Sequence, residues 1–321
     1  MADALVITDT TYAGEAASQF IVRSITSNDT IGGGHAYVKD GIKKKFTIPR
    51  WDSDYETLIQ PRQATPTSKG TMTVTGQVID PADYMIYIEF NPRDFEDHWF
   101  ATQLDPTLID RALPYSAESV VVQGVMQRHQ KYMNKAIWNN KLSNAVADPN
   151  SIYAFFDGWL KKASDSTATN KVSTPTTLTA SNIQAELLRG RALLPEALMF
   201  DPNMKIYLSY NSYNLYLQSL VDLTYKGPDS STLNANATST RFWGAEVVRI
   251  ADFPANTYVF AKGMATTESN LWVGMNSVAD EGLVLRQLQA NSELWFVKML
   301  MKLDVNFGWF EETVYYGPVL S

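Results

Sequence analysis

The chain contains no cysteine and only three histidines among its 321 residues. Without cysteine it has no disulfide, no thiolate metal site and no cysteine nucleophile. Serine-hydrolase, zinc-protease, P-loop and dinucleotide-binding motifs are also missing, and no run of about 18 apolar residues predicts a membrane span. We therefore expect a protein that is not an enzyme, holds no metal or cofactor and makes no membrane contact.

The composition favours a folded, acidic protein. Hydrophobic residues make up 45% of the chain and charged residues 19%, which is enough for a large core in two domains or in one domain with long excursions. The formal net charge of -7 and the pI near 5.1 argue against a protein that grips nucleic acid with a basic face. Any contact with DNA is expected to be weak and without sequence specificity.

Two long amphipathic segments organise the sequence. Between Ser116 and Ala147 apolar residues recur at helical spacing, which predicts a helix of roughly 45 Å with His129 as a hydrogen-bonded core residue. From Trp295 to Trp309 every odd position is apolar, which predicts a strand of roughly 45 to 50 Å with one buried face. The matching lengths predict that the helix lies on the strand. Trp138 falls on the opposite face of the helix, so we predict that either a second layer or a partner covers that face.

A long hairpin is predicted upstream of the helix. Residues 43–51 and 71–79 alternate like strands and are joined by about 19 mostly polar residues. An isolated two-stranded ribbon is marginally stable in water, so we expect it to rest on another surface through polar contacts. The predicted intersubunit contacts are Lys43, Lys44, Lys45, Arg50, Trp51, Asp52, Asp54, Arg62, Lys69 and Trp138.

The lysine run at the start of this hairpin has three open interpretations. In the first interpretation the lysines hold a phosphate, and in the second they form a solvated cluster that protects a strand edge. In the third they pair with acidic groups of a neighbouring subunit. A second polar group, Asp94 to His98, places carboxylates and an imidazole at helical spacing. That group leaves a metal-dependent hydrolase as a remote alternative.

The remaining segments form an arm and a compact unit. Residues before about Ala36 are rich in Thr, Ser, Ala and Gly and predict an arm that docks on another surface. From Ser181 onward, helical patterns at 183–193 and 213–221 mix with short strands at 205–208, 246–250, 257–261 and 270–274, which indicates an α/β unit.

This order of arm, charged hairpin, long helix, α/β unit and returning strand resembles the major capsid proteins of tailed bacteriophages, whose Hong Kong 97-like fold is shared with encapsulins. The local matches are the turn Leu194-Pro195-Glu196-Ala197, residues 243–248 and residues 270–274. The resemblance implies an α+β fold with an N-terminal arm at 1–38, an extended β-hairpin loop at 39–82, a peripheral domain with long β-strands at 83–180 and 288–321, a spine helix at 116–147, and an α/β axial domain at 181–287.

The resemblance also implies a function. We expect a structural major capsid protein that self-assembles as pentamers and hexamers into an icosahedral shell enclosing the double-stranded DNA of a tailed phage. It would be part of the virion, be assembled in the host cytoplasm, and meet a portal. Because only about 40 residues precede the hairpin, scaffolding is expected to be a separate protein or to be unnecessary. The alternative within the same fold is the shell of an encapsulin-type nanocompartment.

Overall fold

The computed structural model describes residues 10–12, 29–53, 59–67, 69, 72–91, 115–148, 151–221, 240–276, 283–289 and 294–320. Its α-helices are α1 (Asp29–Gly32), α2 (Tyr115–Asn139), α3 (Asn144–Ala147), α4 (Trp159–Asp165), α5 (Ile183–Arg191) and α6 (Tyr210–Val221). Its strands are β1 (Thr10–Tyr12), β2 (Tyr37–Lys39), β3 (Phe46–Ser53), β4 (Met72–Ile79), β5 (Ala82–Phe90), β6 (Asn170–Lys171), β7 (Met204–Ser209), β8 (Thr240–Phe242), β9 (Ala245–Ile250), β10 (Tyr258–Lys262), β11 (Leu271–Asn276), β12 (Leu283–Gln287), β13 (Trp295–Phe307) and β14 (Val314–Tyr316).

Strand β13 is the centre of the first sheet. Its 13 residues extend for about 43 Å, and it pairs antiparallel with β5 along one edge and with β12 and β11 along the other. From Trp295 to Leu303 the odd positions are buried and the even ones only half-buried. The predicted long strand with one buried face is confirmed, although it ends at Phe307 and not at Trp309.

Helix α2 packs on the buried face of this strand. Its side chains Val122, Val125, His129, Met133 and Ile137 are buried, and the apolar ones among them share one core with the inward-facing residues of β13. At 25 residues the helix is about 37 Å long, close to the length of the strand. The predicted packing of the long helix on the long strand is therefore confirmed.

The predicted end of the helix at Ala147 is wrong. Helix α2 stops at Asn139, and the short α3 follows after a turn. Beyond that point the backbone bonds to another segment, because Lys141 N donates to Tyr153 O at 3.0 Å and Gly158 N donates to Asn140 O at 2.8 Å. Gly158 lies so close that a β-carbon there would be 2.7 Å from the Trp138 carbonyl. The tertiary contact ends the helix.

The second sheet has the order β6-β14-β10-β7-β9-β8. Strands β7 and β9 are parallel, while β10 is antiparallel to β7. Helices α5 and α6 contribute Ile183, Leu187, Tyr216 and Leu220 to a core that is separate from the one beneath α2. The predicted mixture of short strands and helices in this part of the chain is confirmed.

Each of the two sheets contains strands from both of the predicted domains. Strands β11 and β12 pair with β13 in the first sheet, although the sequence placed residues 181–287 in the α/β domain. Strands β6 and β14, from the predicted peripheral segments, pair in the second sheet. The domain boundaries themselves stay a prediction.

The structure removes Trp138 from the predicted contacts with a neighbouring subunit. The side chain has 0% exposure within its own chain and packs against the rings of Trp159, Tyr207 and Phe253 at centroid distances of 4.8, 5.2 and 5.1 Å. Its Nε1 donates to Thr30 Oγ1 at 2.8 Å. At Trp138 the second face of α2 is thus covered by α1, α4 and the second sheet, and no surface of the indole is left for a neighbour.

We expect Trp138→Ala to lower the free energy of unfolding by about 3–5 kcal/mol, because it leaves a cavity among three aromatic rings and an unpaired hydroxyl at Thr30. Phe200 is 82% exposed, so the control Phe200→Ala should cost less than about 1 kcal/mol. Denaturant unfolding of the unassembled chain measures both. Equal costs for the two variants would contradict the core position of Trp138.

Candidate functional site: subunit-contact surfaces

The hairpin formed by β3 and β4 is the first candidate contact surface. Eight residues of each strand pair antiparallel, from Phe46 opposite Ile79 to Ser53 opposite Met72. In the described residues these two strands form a sheet of their own and pair with no third strand. The ribbon is about 27 Å long, and the described contacts between its ladder and the body lie at the Phe46 and Ile79 end.

The lysine run lies exposed before β3. Lys43 and Lys44 are exposed, and Lys45 Nζ is 3.4 Å from Asp80 Oδ2 in a solvent-exposed ion pair. An exposed pair of this kind contributes between zero and about 1 kcal/mol, so Lys45 remains able to exchange Asp80 for another acidic partner. All three interpretations of the run stay open, and its contact with a neighbouring subunit stays a prediction.

The structure describes only some of the other residues that were predicted to make hairpin contacts. Arg50, Trp51 and Asp52 lie on β3, but only their backbone is within the described part of the structure. Arg62 and Lys69 are exposed on the connection between the two strands. Asp54 lies outside the described residues, and so does the whole group from Asp94 to His98. Their roles stay predictions.

His129 is the predicted core histidine, and this prediction is confirmed. Its Nε2 lies 3.1 Å from Tyr84 Oη, and the two rings stack. Burial lowers the pKa of His129 to about 4, so the imidazole is neutral at pH 7. It links α2 to β5 beneath the first sheet.

His35 is a half-buried histidine with a different environment. Lys205 Nζ lies 2.7 Å from its Nδ1, and Lys205 also pairs with Glu246 at 3.5 Å. Burial, together with the positive charge of Lys205, lowers the pKa of His35 to about 4. Lys205 and Glu246, near the start of β7 and β9, are thus joined to His35 in the segment after α1. This is a structural contact between the two sheets.

A cluster of exposed aromatic residues escaped the sequence analysis. The Arg191 guanidinium lies over the rings of Phe200 and Trp243, with Cζ 5.1 and 5.2 Å from the two centroids. Phe200 is 82% and Trp243 55% exposed. We call Arg191, Phe200 and Trp243 the tip cluster, because Trp243 stands at the turn between β8 and β9.

The backbone at this turn is unusual. Trp243 and Gly244 have φ angles of 49° and 89°, and Phe242 pairs with Ala245 across the two-residue turn. Such a type I′ turn favours Asn-Gly, because a bulky side chain is strained at positive φ. The Trp-Gly pair was the available signal in the sequence. An exposed tryptophan held in a strained turn suggests a role at the surface.

Two negative findings apply to the described part of the chain. Its residues contain no group of three or more His, Asp or Glu side chains arranged to hold a metal ion. Nor is any helix within it long and apolar enough to cross a membrane.

No protein-family model matches the sequence, and no curated protein does so either. Several solved structures are similar to this chain in fold. The procapsid of satellite phage P4 with its size determination protein aligns with a TM-score of 0.59 and 11% identity over 93% of this chain and 98% of that one. The chain has the Hong Kong 97-like capsid fold.

Two further capsids with this fold align over nearly their whole length. The capsid of an empty GTA particle gives a TM-score of 0.54 with 12% identity over 98% of this chain and 93% of that one. The capsid of cyanophage P-SCSP1u gives 0.52 with 9% identity over 100% and 93%. The α+β capsid fold expected from the order of elements is confirmed.

The burial of His129 predicts how the free energy of unfolding depends on pH. Since the pKa of His129 is about 4 in the folded chain and about 6.5 when unfolded, its neutral contacts stabilise the fold fully above pH 6.5. This contribution, up to about 3 kcal/mol, is lost as the pH falls from 6.5 through 4. His129→Gln keeps a polar group near Tyr84 but cannot titrate.

Denaturant unfolding at several pH values between 4 and 7 measures this effect. We expect the free energy of unfolding to fall less steeply with acid in His129→Gln than in the unchanged chain. A slope that is the same in both proteins would contradict the assignment of His129 as a buried neutral group.

Proposed function

We propose that this chain is the structural subunit of a tailed-phage capsid, which assembles as pentamers and hexamers into an icosahedral shell around double-stranded DNA. The subunit is not an enzyme. It belongs to the virion and is assembled in the host cytoplasm with a portal and a separate scaffolding protein. The fold makes a capsid the first function to test, and the surfaces described above supply the physical support.

The self-paired hairpin is the observation that carries the proposal. A two-stranded ribbon of eight residues per strand is marginally stable in water. In the described residues its ladder has no third strand, so a surface outside the chain is the support that it lacks. In a shell of repeated subunits every hairpin has a neighbour at the same relative position.

The charges on the hairpin suit such a contact. Lys43, Lys44, Arg62 and Lys69 are exposed, whereas the whole chain carries a net charge of -7. Basic groups on a projecting element therefore meet a partner that is acidic overall when the partner is another copy. The predicted contacts from Arg50 to Asp54 belong to the same proposal.

The tip cluster gives a second contact between copies. Arginine and tryptophan are the residues most enriched among those that dominate binding energy at protein interfaces. In the isolated chain the strained turn leaves 55% of Trp243 exposed to solvent. Contact with a neighbouring copy buries that surface.

Weak interaction with the packaged DNA follows from the acidity of the chain. An inner wall with a net negative charge does not bind tightly packed DNA strongly, so the genome is free to enter and leave. The contact is electrostatic and has no sequence specificity.

Electron microscopy of the purified chain tests the proposal. We expect closed shells, or arcs and rings of five and six subunits, when the chain is concentrated alone or with a scaffolding protein. Nuclease-resistant DNA inside particles from infected cells distinguishes a phage capsid from an enzyme-filled nanocompartment. Only monomers under every condition would contradict the proposal.

The variant Trp243→Asn separates folding from assembly at the tip cluster. Asparagine suits the positive φ of this position, so the unassembled chain should be at least as stable as before. Loss of the ring should raise the concentration needed for assembly by roughly tenfold or more. Light scattering follows assembly, and denaturant unfolding follows stability.

Trp243→Phe is the matched control, because it keeps an aromatic ring over Arg191 in the same strained turn. We expect it to assemble at nearly the original concentration. Assembly of Trp243→Asn at that same concentration would exclude the tip cluster from the contacts between copies.

A further inference from the structure

We propose that Asp304 and Asn306, near the C-terminal end of β13, fix the direction in which the hairpin leaves the body. The base of the hairpin is then a hinge, about which the hairpin turns as one unit when these contacts are lost. The first indication is a break in the burial pattern. From Trp295 to Leu303 only alternate residues of β13 are buried, whereas Asp304 and Asn306 are buried at positions that should face outward. The base of the hairpin covers them.

Asp304 binds the end of the hairpin directly. Its Oδ2 accepts a hydrogen bond from the backbone N of Asp80, the residue after β4, at 2.9 Å. Its Oδ1 accepts from Lys162 Nζ of α4 at 2.8 Å and from Val305 N at 2.8 Å. One carboxylate therefore joins the hairpin, the long strand and α4.

Lys162 Nζ offsets part of the cost of burying this carboxylate. Burial raises the pKa of Asp304, and the positive charge of Lys162 opposes that shift. Lys162 also donates to Val305 O, so both partners of the ion pair are held on β13. Removal of either partner from such a buried pair is costly, because it leaves an uncompensated charge.

Asn306 makes the second tie, two residues further along β13. Its Nδ2 donates to Val78 O at 2.8 Å, while its Oδ1 accepts from Phe307 N at 2.9 Å. Trp159 Nε1 donates to the Asn306 carbonyl at 3.0 Å. Asn306 and Asp304 thus bind consecutive parts of the same hairpin strand, which fixes an angle as well as a position.

A small apolar seat lies beside these ties. Ile79 is fully buried with Ile42, Ile48 and Trp272 in a cluster that is separate from the two larger cores. Strand β11 carries a glycine at this point, and a β-carbon on Gly274 would lie 2.4 Å from Ile79 Cγ2. The seat holds the hairpin close to the sheet, but apolar contacts are not directional, so they do not set its angle.

The contacts of the described residues are concentrated at one end of the ribbon. Beyond them the described strands pair with each other, and their ladder moves as a unit when the base turns. The consequence for assembly rests on the proposed function: a hairpin that points in a variable direction meets its neighbour less often. The hinge itself is a property of the single chain.

The variants Asp304→Asn and Asn306→Ala test the hinge in the full-length, unassembled chain. In Asp304→Asn either Asp80 N loses its acceptor or Lys162 Nζ and Val305 N both lose theirs, since the new amide offers one oxygen and one NH₂ group. Asn306→Ala removes the donor to Val78 O. Because the chain has no cysteine, Thr65→Cys on the hairpin connection and Val146→Cys on the body take nitroxide labels selectively.

Pulsed electron paramagnetic resonance then measures the distance between the two labels, with unlabelled chain added to dilute intermolecular pairs. We expect both variants to broaden the distance distribution by several ångströms. Hydrogen exchange at the Asp80 amide should accelerate roughly tenfold or more, while exchange within the β7 and β10 ladder stays unchanged.

Asp83→Asn is the matched control. Asp83 Oδ1 pairs with Lys302 Nζ at 2.8 Å, also between β13 and its neighbour, but Asp83 is exposed and lies beyond the hairpin. This variant should give the distance distribution of the unchanged chain. An unchanged distribution and unchanged Asp80 exchange in both test variants would overturn the proposal.

Equal acceleration of exchange at Asp80 and in β7 and β10 would also overturn it, because that result indicates general destabilisation. Neither measurement requires a shell. A chain that never assembles would refute the proposed function while leaving the hinge intact, and a rigid hairpin in every variant would refute the hinge alone.

Discussion

Hydrogen bonding along both edges of β13 is the constraint on which the rest of the structure depends. Strand β5 occupies one edge, and β12 and β11 share the other. Since side chains alternate along a strand, this arrangement leaves one continuous apolar face, and α2 covers it. Near its C-terminal end β13 also receives the base of the hairpin on its second face. One strand therefore positions the core, the neighbouring strands and the projecting element.

The hairpin and the body are stabilised in different ways. The body has two large cores, whereas in the described residues the base of the hairpin has a cluster of four buried apolar side chains together with the hydrogen bonds from Asp304 and Asn306. This division suits a subunit whose body holds its shape while a projecting element forms contacts with neighbours. Many modest contacts of that kind, repeated by symmetry, are enough to close a shell.

Local periodicity explains which elements were predictable. The strand from Trp295, the hairpin strands and the start of the long helix each follow from a repeat of 2 or 3.6 residues that lies within one segment. Even the role of His129 follows from its place on the helical stripe. The end of α2 was not predictable in this way, because the Asn140 carbonyl accepts from Gly158 N and Lys141 N donates to Tyr153 O, both in a segment outside the helix.

The sequence by itself determined the order of the elements, the buried face of β13 and the absence of cysteine chemistry, since each is a property of composition or of neighbouring residues. Only the tertiary structure decided what covers the second faces. Trp138 meets a residue 108 positions away, Asp304 one 224 positions away, and Arg191 meets Trp243 across the α/β unit. Contacts over such separations depend on how the sheets and helices stack, and no local pattern encodes that.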